Sequence, residues 1–96
     1  MTLEQFIQSI EDESLPYYIN PLLEALWWER NGNWVKAHKI IQEIHSKDSA
    51  LLHAYLHYRE GDTSNANYWY QTAGESAFNG TMEEEWEKLS ISLLNN

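Results

Sequence analysis

The sequence predicts an all-helical single domain of about six helices in antiparallel hairpins, and three observations lead there. Apolar residues recur at intervals of three and four along most of the 96 residues. No segment alternates with a period of two, so strands are not expected. An internal offset of 29 residues lays one helical hairpin over the next.

Leu3, Phe6, Ile7 and Ile10 form one apolar stripe after a Thr2/Gln5 capping box, which predicts a first helix over about 2–12. The stretch SLPYYINP (14–21) breaks it. Asn20 is then placed to cap a second helix with Pro21 in its first turn, and Leu22, Leu23, Leu26 and Trp27 share a face until Gly32 ends it. Asn33 starts a third helix, with Trp34, Ala37, Ile41 and Ile44 in register. A fourth helix is predicted from about 48 to Glu60, stopping at Gly61, and a fifth from Asp62 to about Ala73, stopping at Gly74. GESAFNG (74–80) reads as a loop. The sixth helix, over about 81–94, carries Met82, Trp86, Leu89 and Leu93 as its stripe; Thr81 and Glu84 form its capping box, so the run Glu83 to Glu85 belongs to helix-start chemistry.

The second and third helices repeat as the fourth and fifth, giving hairpin units at about 20–46 and 48–74 between two flanking helices. The 29-residue offset pairs Gly32 with Gly61, Leu22 with Leu51, Leu23 with Leu52, Ala25 with Ala54, Arg30 with Arg59, Ala37 with Ala66 and Gln42 with Gln71. Each unit thus has a small residue on both helices where they cross and a glycine at the turn.

Ala25, Gly32, Asn33, Trp34 and Ala37, then Ala54, Gly61, Asp62 and Ala66, resemble the small-residue, Gly-Asp-aromatic and Ala signature of the tetratricopeptide repeat. The period is shorter than that family's 34 residues, the closing proline is missing, and Thr63 stands where the aromatic after Gly-Asp belongs. The stretch HAYLHYREGDTSNANYWYQTAG (53–74) is also similar to one in short bacterial proteins of no assigned activity. The resemblance covers about half of the chain and implies a short α-α superhelix that binds peptides along the groove lined by the first helix of each hairpin.

A formal charge of −9, from 15 acids against 6 bases, repels phosphate backbones and anionic lipid, so neither nucleic acid nor a membrane is an expected partner. There is no cysteine, hence neither a disulfide nor a thiolate metal site. The N-terminus has acids where a signal peptide needs bases, and no run approaches the ~18 apolar residues of a membrane span, so the expected location is cytoplasmic.

Packing is the expected role of Trp27, Trp34, Trp69 and Trp86; for Trp28, beside Trp27, the stripe does not decide. His53 and His57, four apart, stand one above the other on the fourth helix, the geometry in which two imidazoles can share a metal. No third ligand sits at a fixed spacing. A buried His57 bonded to a Tyr or a carboxylate is therefore the expectation, ahead of an interaction or pH-sensing role and of a metal. His38 and His45 are expected to be solvated.

The resemblance points to Arg30, Tyr55, Tyr58, Arg59 and His57 as binding residues, with the two arginines able either to hold a partner's carboxylate or to pair with neighbouring acids. No catalytic residue, cofactor or committed metal site is expected. A noncatalytic protein- or peptide-interaction module using this aromatic and arginine groove is the leading expectation. A structural homo-oligomer, such as a homodimer, is the alternative, with a metal-binding protein or enzyme built on His53 and His57 behind it.

Overall fold

The computed structural model describes residues 1–95, and among them it contains six α-helices and no strand. They are α1 (Leu3–Glu11), α2 (Pro21–Arg30), α3 (Trp34–Gln42), α4 (Lys47–Arg59), α5 (Thr63–Ala73) and α6 (Met82–Leu94). None of them is long and apolar enough to cross a membrane.

The ends are set by local chemistry. Thr2 with Gln5 and Thr81 with Glu84 close capping boxes at the starts of α1 and α6, as the sequence predicts. Asn20 caps α2 ahead of Pro21. A third capping box, Ser46 with Ser49, moves the start of α4 a residue earlier than expected. Asn33 and Asp62 cap α3 and α5, each after a glycine in the left-handed region, with φ 85° at Gly32 and 87° at Gly61. The two turns are thus built alike, and each needs a residue without a Cβ.

Helix α2 packs antiparallel on α3 and α4 on α5, and α3 joins the two hairpins by lying against α4. The crossings are made close by Ala25, Ala37, Ala54 and Ala66, all buried. Helix α6 then lies across α2 and α4, and α1 packs on α6. Phe6, Leu26, Ile41, Leu52, Tyr55, Leu56 and Trp86 form the fully buried centre, with the Phe6 and Trp86 rings stacked at 5.7 Å. Of the five tryptophans, Trp27 and Trp86 are buried; Trp28, Trp34 and Trp69 are half-buried.

The acidic run of α6 does three different jobs. Glu84 caps the helix, Glu83 pairs with Arg30 at 2.9 Å, and Glu85 is buried, accepting a hydrogen bond from the Tyr70 hydroxyl. All three stand in the first turn of α6, as helix-start chemistry expects, and Glu83 and Glu85 have these partners besides.

Candidate ligand-binding cleft and histidine cluster

The groove expected along α2 and α4 is filled by the chain itself. Trp86 of α6 is buried there with its indole N–H directed at the Leu26 carbonyl, 3.4 Å away. Leu22, Leu26, Tyr55 and Leu56 share its core. The apolar strip on the inner faces of two hairpins needs a cover, and α6 supplies one.

This filling redistributes the expected binding residues. Tyr55 is fully buried, and its hydroxyl donates to Glu29 Oε1 at 2.9 Å, so it lines no groove. Arg59 Nε pairs with the same oxygen at 3.2 Å, while its side chain stays 42% exposed. The Arg30 guanidinium lies over the Trp86 ring, 4.0 Å from its centroid, and reaches Glu83. Both arginines therefore make internal ion pairs, one of the two roles open to them in the sequence. Tyr58, at 36% exposed, keeps an accessible ring. His57 is buried with Nδ1 2.7 Å from Glu60 Oε1, the carboxylate partner expected for it.

Helices α3, α4 and α5 enclose a cleft of about 720 Å³. All four histidines of the chain line it: His38 from α3, His45 from the following loop, and His53 and His57 from α4. None of its thirteen lining residues among the described part of the chain is acidic, although the protein carries 15 acids. The Trp69 indole closes one side, stacked on the His53 ring at 4.0 Å with 7° between planes, and the Trp34 indole stacks on His38 at 4.9 Å. Ser46 and Ser49, which also line the cleft, are committed to the capping box of α4, and the Ser49 hydroxyl donates to backbone carbonyls.

His38 is the residue that spacing missed. Instead of being solvated it is half-buried, with Nε2 3.1 Å from Nε2 of His53, so that one imidazole donates to the other. His45 is exposed, as expected. One ring nitrogen from each of His38, His53 and His57 lies within 4.8 Å of those of the other two. Burial, helped by the neighbouring imidazoles of His38 and His57, lowers the pKa of His53 to about 4; burial also lowers that of His38. At neutral pH these two rings are uncharged, and each keeps a lone pair.

No family model matches this chain, and neither the curated proteins nor the solved structures contain a match to it.

Proposed function

We propose that the chain is a noncatalytic recognition module that binds a protein or peptide partner through the α3/α4/α5 cleft. The single observation behind this reading is the cleft, whose size falls within the roughly 300 to 1,000 Å³ of ordinary ligand pockets. Its chemistry suits a peptide segment: Trp69 offers an apolar face, and the imidazoles with Asn65 and Gln42 offer hydrogen-bonding groups. With no acid in its lining, it is also the part of a −9 molecule where a partner's carboxylate meets the least repulsion. Relative to the sequence-based expectation, the function is kept and the surface moves, because α6 occupies the groove along α2 and α4.

The noncatalytic part of the proposal is supported by the state of the cleft's hydroxyl groups, since both serines are tied into a helix cap and the Thr72 hydroxyl donates to the Tyr68 carbonyl. A cytoplasmic location and kinship with tetratricopeptide arrays remain part of the same proposal, resting on composition and on the alanine and glycine pattern.

Capture from cell extract tests it with three folded baits: wild type, Trp69→Ala with Asn65→Lys in the cleft, and Tyr58→Ala with Arg59→Ala at the edge of α4. The expected result is a partner held by wild type and by the edge variant and lost by the cleft variant. A partner set that the cleft variant retains unchanged would overturn the proposal.

A further inference from the structure

We propose that His38, His53 and His57 form a binding site for a divalent transition-metal ion of the zinc class. This does not rest on the recognition reading, since it holds or fails with the purified chain alone.

The first support is geometric. His53 and His57 are one helical turn apart with rings parallel to within 3°, and His38 meets both from α3 at 74° and 73°. Two nitrogens that share a tetrahedral zinc at ~2.05 Å lie about 3.3 Å from each other. The His38 and His53 Nε2 atoms stand at 3.1 Å. The widest separation in the trio is at most 4.8 Å, which a bound ion would shorten through rotation of side-chain torsions.

The second support is the group behind the ring. Glu60 Oε1 accepts a hydrogen bond from His57 Nδ1–H at 2.7 Å, and in the neutral ring this leaves Nε2 as the lone-pair nitrogen. A carboxylate holding the far nitrogen is how metal-binding imidazoles are oriented and made more basic. Glu60 is 39% exposed, so its place beside the buried His57 is not forced by its own burial.

Donor chemistry selects the ion. Three imidazoles with a carboxylate behind them suit Zn²⁺, Co²⁺, Ni²⁺ and Cu²⁺, whereas Ca²⁺ and Mg²⁺ require oxygen ligands. The chain holds no thiol to compete. Three protein ligands leave a fourth coordination position open toward the cleft.

The test uses the full-length chain, stripped with EDTA and titrated with ZnCl₂ against a chromophoric chelator, and with CoCl₂ for its absorption spectrum. One ion per chain is expected, with the intense visible bands of tetrahedral Co²⁺. Cu²⁺ is expected to quench tryptophan fluorescence, since Trp69 and Trp34 stack on two of the ligands. His38→Gln should abolish stoichiometric binding. Glu60→Gln, at an exposed position that leaves all three ligands in place, should weaken it ~10- to 100-fold. His45→Gln should match wild type. The proposal is overturned if the folded wild-type chain binds no stoichiometric Zn²⁺ or Co²⁺. It is equally overturned if binding depends on His45 instead, or if Glu60→Gln and folded His38→Gln both bind as tightly as wild type.

Discussion

The Tyr55 hydroxyl donates to Glu29 Oε1 at 2.9 Å, joining the middle of α4 to the last turn of α2 inside the core. Arg59 reaches the same oxygen from the surface, while Glu29 Oε2 is buried with no partner. A carboxylate held on one side only depends heavily on each bond it has. Tyr55→Phe should therefore destabilise the protein by about 1 to 3 kcal/mol, the cost of leaving a buried acceptor underbonded. Urea unfolding at constant m value reads this directly.

Glu29 also makes stability depend on pH. Burial is the largest influence on it and, against the Tyr55 bond and the two arginines, raises its pKa above 4.5. An acid whose pKa is raised by folding contributes its full stability below the unfolded value of 4.5 and loses it as pH rises through the folded value. Glutamine has no such loss. The stability of Glu29→Gln minus that of wild type should accordingly increase between about pH 4 and about pH 7. A difference that is flat or falls over that range would contradict the burial argument.

Trp86 is the largest side chain that α6 places in the core shared with both hairpins. It is fully buried, stacks on Phe6 and has the Arg30 guanidinium over its ring at 4.0 Å from the centroid. Truncation to alanine should cost about 3 to 5 kcal/mol, a large share of the 5 to 15 kcal/mol that stabilises an ordinary domain. Thermal melting followed by far-ultraviolet circular dichroism is the check. A loss below about 1 kcal/mol would mean that α6 is not integral to the core.

Gly61 separates backbone conformation from crowding. A Cβ there would meet nothing within 4 Å, yet φ is 87°. Gly61→Ala should still destabilise the hairpin by about 1 kcal/mol, and Gly32→Ala, at φ 85°, by a similar amount. Chemical denaturation of the two variants side by side measures both.

Periodicity and capping chemistry made the helices legible. Thr2, Asn20 and Thr81 are read correctly as caps, and Asn33 and Asp62 as the starts of their helices, because a helix start is decided within four residues of itself. The 29-residue offset likewise exposed the paired glycines and crossing alanines. What could not be read was the meeting of elements that no short interval links. His38 follows the buried Ala37, and its neighbour across the hairpin boundary, His53, is fifteen residues on. Helical spacing orders residues around one axis and says nothing of the angle at which the next hairpin stacks. The available signal was that His38 lies four residues after Trp34, itself half-buried, so their shared face was already committed inward. Tyr55 was misassigned for a related reason: a groove inferred from two hairpins leaves out the sixth helix that covers them.

The stacked rings of Phe6 and Trp86 bring together the first helix and the last. A linear array of hairpins can fold outward from any one of its units, each supported by the next. Here the strip on α2 and α4 stays open to water until a residue near the far end of the chain arrives. During synthesis on the ribosome, both hairpins emerge before Trp86 does, so they must wait with apolar surface exposed, the interval in which a chain is most open to chaperones and to aggregation.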